Sequence, residues 1–415
     1  MSSKAAASPS HGKLCTSAQA LELVLKDARR LEAERVPLDL AAGRVLAEDV
    51  TAETDIPYAS LSSMDGYALD AQRLEGDPPW VLPVAGEARA GHSPPRLAPG
   101  SACRVFTGAE LPEGADSVVA QEDVLRRNEQ LVLSTRPTPG QSVRAAGADL
   151  PAGTKALLRG SRLTPGRIGL AAVLDRPYLE VARRPVVSVV ATGDELRTPG
   201  APARPASIVE SSTFVVAAWA RLLGAEVRLM PAVRDDPQET LRALERVLSG
   251  TDVLVTIGGV SVGEHDWVRP TLEKLGVALD FSGVAMSPGR PLTIGRSERA
   301  RVLCLPGHSA AATLCFILFG APLLRTMQGD LQPLPRRVPM RVLGSHVKRS
   351  PLPFEEFLRA RLEIHDGELC AALLPSQSAG ADTGFAEAQA LVVLGADRKA
   401  IRHGDRLPVI ALHDV

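Results

Sequence analysis

The 415-residue chain has only five cysteines (Cys15, Cys103, Cys304, Cys315 and Cys370). They are scattered and odd in number, with no CxxC pair and no histidine at zinc spacing, which excludes a disulfide framework and a cysteine-built zinc site. A reducing, cytoplasmic setting fits that usage. Charge of one sign is also missing. The formal net charge is −1, so the chain lacks the basic face that nucleic acid or an anionic membrane surface demands. Any charged ligand must be met locally. Long hydrophobic runs are absent as well: the longest uncharged run, Ser309 to Leu324, is shorter than a membrane span and reads as a buried helix. No membrane insertion is expected. The opening MSSKAAASPSHGK has no continuous apolar segment, so it reads as a disordered tail rather than a secretory signal.

What is present points to several domains. At about 150 residues per domain the length suggests roughly three. Ala20, Leu21, Val24, Leu25, Ala28 and Leu31 recur at helical spacing and predict a helix from Ser17 to Arg35, capped by Thr16 or Ser17. From about residue 55 to 145 the texture changes to short β-like runs, such as Trp80-Val81-Leu82 and Ser117-Val118-Val119-Ala120, between proline and glycine clusters. That predicts a small β-rich domain inserted in an opening domain formed by residues 14–54 and 146–183, with a short helix from Pro165 to Leu174. Residues 184–330 alternate strands and helices: Pro185 to Thr192, Ser212 to Leu223, Glu226 to Met230, Pro237 to Ser249, Val253 to Ile257. This pattern predicts an α/β domain with a doubly wound parallel sheet. Beyond the proline-rich linker Leu331 to Pro339, residues 335–415 read as a C-terminal β-barrel or sandwich.

The chemistry collects around Asp252 to Asp266, DVLVTIGGVSVGEHD. A buried apolar strand breaks into Gly258-Gly259-Val260-Ser261-Val262-Gly263, where glycines let backbone N–H groups turn toward a ligand, and ends in Glu264 and Asp266. In open α/β sheets ligands gather at strand C-termini, so a phosphate-bearing ligand with a divalent metal is the functional reading, against a tight turn with solvated acids. Thr192-Gly193-Asp194-Glu195 and Arg234-Asp235-Asp236-Pro237 fall on the same edge. Ser287-Pro288-Gly289-Arg290-Pro291 adds a cation, and Leu305-Pro306-Gly307-His308 opens a helix N-terminus. Four carboxylates, one arginine and three glycine loops are expected to converge. His308 reads as a capping or packing residue, His265 as an exposed neighbour of the acids, and Cys304 as a small core residue.

The motifs SSMDGYA, VFTGAELPEGAD, ATGDEL, VRDD, TIGGVSVGEHD, SPGRPL, LPGH and QSAGADTGFAEAQALVVL, in this order, resemble the molybdopterin molybdotransferase family of the MoeA or gephyrin E-domain type, over nearly the whole chain. The resemblance implies an enzyme that inserts molybdate into adenylylated molybdopterin (molybdopterin-AMP) and releases AMP with Mg²⁺. It implies Glu195, Asp235 and Asp266 as metal ligands and catalytic carboxylates. Gly258, Gly259, Ser261, Gly263, Glu264, Pro288, Gly289, Pro306 and Gly307 would cradle pterin phosphate and nucleotide, with Arg290 answering their charge. Thr107 and Asp149 would face the sheet domain of a partner subunit in an elongated homodimer, and Arg359 and Ser378 would lie near the oxyanion pocket. A molybdopterin adenylyltransferase is the implied partner that supplies the substrate.

The chain also departs from the family pattern. Ser60 and Leu61 replace an Asp-Asn pair, Ser287 a lysine, Arg290 another lysine, His308-Ser309 an Asn-Pro pair and Ser212 an asparagine. Arginine for lysine keeps the charge, in a chain with seven lysines against forty arginines. Two readings follow: a working transferase with an altered ligand edge, or a paralogue that binds molybdopterin or its nucleotide form as a carrier or regulatory module. Adenylyl transfer by the sheet domain alone is a third, opposed by the flanking domains.

Overall fold

The computed structural model describes residues 14–260, 266–348 and 350–414. The chain divides into two compact units, one made of residues 1–34, 43–47 and 181–415, the other of residues 35–42 and 48–180.

The first unit opens with α1 (Ser17–Leu25), where Thr16 accepts from Gln19 N and Gln19 answers back to the Thr16 backbone, a complete capping box. The helix ends ten residues before its expected limit at Arg35. Asp27 turns left-handed at φ 57°, and Ala33–Pro37 is extended instead. The stop comes from far away in sequence. Arg301, 6% exposed, donates Nη2 to Leu23 O at 2.9 Å and Val24 O at 2.7 Å, satisfying the carbonyls at the helix end.

The remaining α/β elements are β1 (Val186–Ala191), α2 (Ser212–Leu222), β2 (Glu226–Leu229), α3 (Pro237–Leu248), β3 (Val253–Ile257), α4 (Val268–Lys274), β4 (Ala278–Ser282), β5 (Thr293–Arg296), β6 (Arg301–Leu305) and α5 (Ser309–Met327). The six-stranded sheet has the order β2-β1-β3-β6-β5-β4. Its first four strands are parallel; β5 and β4 extend it antiparallel, so the wholly parallel sheet expected from sequence is mixed at one edge. The short β4-to-β5 and β5-to-β6 connections carry no crossover helix, and parallel pairing needs one. Every residue of β3 is buried, as an interior strand sandwiched between helix layers must be. Val216, Ala220, Leu314 and Phe316 pack on one face; Leu244, Val247, Val268 and Leu272 pack on the other. The apolar α5 is 89% buried and is the central core helix. A π-helical turn at Phe316–Gly320 precedes Pro322, whose ring removes an N–H from the helical ladder.

The same unit ends in β7 (Val338–Leu343), β8 (Glu355–His365), β9 (Glu368–Leu373), α6 (Asp382–Ala386), β10 (Ala390–Leu394) and β11 (Arg406–Ala411). The ladder β8-β9-β7-β11-β10 closes through the β8–β10 pairing into a five-stranded barrel around Val342, Leu358, Val392 and Val409. In the second unit a six-stranded sheet runs in the order Ser117–Ala120, Gly66–Leu69, Ala102–Val105, Trp80–Ala88, Gln130–Leu133, Leu125–Arg127. A Cβ on Gly66 would lie 2.1 Å from Val119 O, so the glycine of the SSMDGYA motif is required by strand packing.

Candidate active site

Register builds the site. Ala191 pairs with Ile257, and Ile257 with Leu305, so β1, β3 and β6 end level and their loops leave side by side. Those loops begin Thr192-Gly193, Gly258-Gly259 and Pro306-Gly307. A fourth is drawn in by the Thr192–Val233 bridge, which brings Asp235 to the same edge. Together they wall a cleft of about 550 Å³, lined among others by Glu195, Glu210, Asp235, Asp266, Gly258, Gly259, Pro306 and Gly307. The three carboxylates assigned to metal from sequence share this one cleft.

Glycine is needed in two of these loops. At Gly258, φ is 85° and a Cβ would sit 2.7 Å from Thr192 O; at Gly259, φ is 64° and a Cβ would sit 2.5 Å from Val268 Cγ2. The adjacent acids Asp235 and Asp236 divide their work. Asp236 caps α3, accepting from Gln238 N at 2.9 Å and Glu239 N at 2.8 Å. Asp235 is left for the cleft, where its Oδ2 accepts from Asp194 N at 3.4 Å and ties two loops together.

Among the described residues no group of three or more His, Cys, Asp or Glu side chains converges at metal-binding distance. The donor set still suits magnesium. It consists of hard carboxylate oxygens along one cleft, and Mg²⁺ is commonly held by one or two carboxylates with water and substrate phosphates completing its shell. A Cβ on Gly193 would stand 2.6 Å from Glu195 Oε2, so the bare backbone there leaves the room that the Glu195 carboxylate occupies. At the head of α5, His308 provides no side-chain cap, and Gly307 and His308 both line the cleft. Cys304, inside β6, is core: burial pushes its thiol up to about 12.

Other expected residues lie elsewhere. Ser261, Gly263, Glu264 and His265 fall outside the described residues. Pro288, Gly289 and Arg290 do not line the cleft, although Pro291 of the same loop does; upstream, Met286 and Ser287 pair with Glu355 and Glu356 of the barrel. Pro288 lines a separate cavity of about 130 Å³ with Ser287 and His346, a Cβ on Gly289 would meet Cys315 Sγ at 2.7 Å, and the Arg290 guanidinium stands 6.0 Å over the Phe354 ring. Among the described residues no arginine or lysine lines the cleft beside the acids. Arg359 is 3% exposed and its guanidinium donates to the Ser378 and Ala381 carbonyls. In the second unit, Thr107 donates through N and Oγ1, both at 2.8 Å, to Asp65, which holds that carboxyl below its ordinary range. Asp149 is ion-paired with Arg144.

Glu210 was not selected from sequence. It is 7% exposed, lines the cleft, and accepts from Thr213 N at 2.8 Å and Thr213 Oγ1 at 2.5 Å. Its one sequence signal is an acid three residues ahead of a threonine at a helix start.

Known proteins match along the whole chain. Residues 15–174 match the MoeA N-terminal region (domain I and II), 188–326 a probable molybdopterin binding domain, and 346–412 the MoeA C-terminal region (domain IV). A molybdopterin molybdenumtransferase of Synechococcus elongatus is 34% identical over 95% of this chain and 98% of its own length. One from Bacillus subtilis is 31% identical over 92% of this chain and 90% of its own. The crystal structure of a molybdopterin biosynthesis MoeA protein from Pyrococcus horikoshii OT3 superposes with a TM-score of 0.82 at 26% identity, covering 96% of this chain and 100% of that one. The level strand ends, the closed barrel and these full-length matches agree: the chain belongs to the molybdopterin molybdenumtransferase family.

Proposed function

We propose that the chain inserts molybdenum from molybdate into adenylylated molybdopterin, releasing AMP and giving molybdenum cofactor. The observation that carries this reading is the single cleft at the level ends of β1, β3 and β6, walled by Glu195, Asp235, Asp266 and two glycine loops. Breaking a phosphoanhydride concentrates negative charge on bridging oxygens, and a bound Mg²⁺ supplies its neutralisation. One or two of Glu195, Asp235 and Asp266 would hold that ion, with water and the substrate phosphates completing its shell. The Gly258-Gly259 and Gly307 backbone would approach the phosphates without side chains in the way, and the N-terminal end of α5 begins at the cleft-lining Gly307 and His308. Glu210 holds the first turn of α2 against the cleft through Thr213.

In the same reading the enzyme works as a cytoplasmic homodimer, with Thr107 and Asp149 reaching the partner's cleft, Ser261, Gly263, Glu264, Pro288, Gly289 and Arg290 serving the pterin phosphate, and Arg359 and Ser378 lying near the oxyanion pocket. A molybdopterin adenylyltransferase delivers the substrate. The same reading takes residues 14–54 with 146–183, 55–145, 184–330 and 335–415 as four domains, the last two within the first compact unit. A binding paralogue is the second reading, favoured by the absence of arginine and lysine from the cleft lining among the described residues. Losing one contact to transition-state charge costs about two to three powers of ten in rate. Incubating the protein with adenylylated molybdopterin, Mg²⁺ and molybdate separates the two: coupled AMP release and cofactor formation support the transferase, and tight binding without AMP release supports the paralogue.

A further inference from the structure

The segment joining β9 to β10, residues 374–389, leaves the barrel and runs to the rim of the cleft. There it is fastened to both helices that open onto the cleft. Ala311 N, in the first turn of α5, donates to Ala379 O at 3.2 Å. Ser211 Oγ donates to Asp382 Oδ2 at 2.9 Å, and makes no capping bond to its own helix, α2. A Cβ on Gly380 would come within 3.4 Å of His308 Cδ2, so the segment also lies against the cleft-lining histidine.

Beneath it sits Arg359. Its Nη1 donates to Ala381 O at 3.3 Å and its Nη2 to Ser378 O at 3.0 Å, while the guanidinium stands 5.3 Å over the Phe385 ring. Gly384 presses on the same group: a Cβ there would lie 2.9 Å from Arg359 Nε and 2.8 Å from Ser376 O. Charge-assisted bonds from a rigid buried fork are strong, whereas the two rim bonds are single and the one between Ser211 and Asp382 is exposed.

We infer that Arg359 is a positioning residue that holds residues 374–389 as a strap across the rim of the cleft, and that ligand enters and leaves when the two rim bonds break. The strap itself rests on the bonds just given; its effect on catalysis rests on the transferase reading. Amide hydrogen exchange on the full chain tests it with Arg359→Lys, which cannot span both carbonyls, and Gly384→Ala, which crowds the fork from the other side. Both variants are expected to exchange residues 376–386 at least tenfold faster than wild type, with β3 and β6 unchanged, and to raise the KM for adenylylated molybdopterin severalfold. Wild-type exchange of this segment in both variants overturns the proposal, as does faster exchange with KM and kcat both unaltered. If the wild-type protein releases no AMP, the transferase reading fails and the exchange comparison alone decides the strap.

Discussion

Gly258 illustrates how much the cleft depends on single positions. Alanine there must adopt φ near 85° and bring its Cβ to 2.7 Å from Thr192 O. A loss of about 2–3 kcal/mol is expected for Gly258→Ala, read as a lower denaturant midpoint with unchanged slope. The Gly-Gly pair was legible because glycine after a β-branched run announces a close approach. The same holds for Glu195, Asp235 and Asp266, since each follows a strand that the period-two and apolar patterns mark. Glu210 was not legible, because its meaning depends on where α2 starts relative to the sheet. The placement of Arg290 was not legible for a related reason: the loop that carries it follows Met286 and Ser287, which pair with a strand about seventy residues later, and local sequence carries no trace of that pairing.

At the scale of elements, the strands and helices of the α/β sheet were readable nearly to their ends, and the end of the opening helix was not. The helix α1 fails to reach Arg35 because Arg301, on the far strand β6, supplies its cap. A second distant link joins Arg183 to the start of β3: its guanidinium grips Asp252 at 2.7 and 2.8 Å, and Val186 N donates to the same carboxylate at 2.8 Å. Burial pushes the Asp252 pKa up, but the Arg183 fork and the amide outweigh it and hold the group below its ordinary value. A carboxyl whose folded pKa is depressed stabilises above its unfolded pKa, about 4, and loses that contribution as pH falls through the folded value. Asp252→Asn is therefore expected to lower stability by about 2 kcal/mol at pH 7 and to flatten the acid limb of the stability profile below about pH 4, as followed by denaturant melts across pH. In α5, a Cβ on Gly320 would strike Phe316 Cδ2 at 2.6 Å. Gly320→Ala is expected to cost about 1–3 kcal/mol through the overpacked core, measured by thermal unfolding.

At the scale of the whole molecule, the order of textures along the chain announced a β-rich insertion, an α/β sheet and a terminal barrel, and the ordered motif series identified the family. What composition hid is the return of the barrel segment to the cleft, which arises from side chains packed across the fold. The homodimer proposed for this enzyme predicts a sedimenting species of twice the 43.8 kDa chain mass at micromolar concentration; a monomer there would remove Thr107 and Asp149 from the proposed site. The decisive measurement is molybdate- and Mg²⁺-dependent AMP release from adenylylated molybdopterin, with cofactor formation followed in parallel, for wild type and Asp266→Asn. The expected result is one AMP per cofactor formed by wild type, and a folded variant slowed by at least a hundredfold. Undiminished AMP release by the variant, or no release by wild type that binds the substrate tightly, would contradict a transferase centred on this cleft.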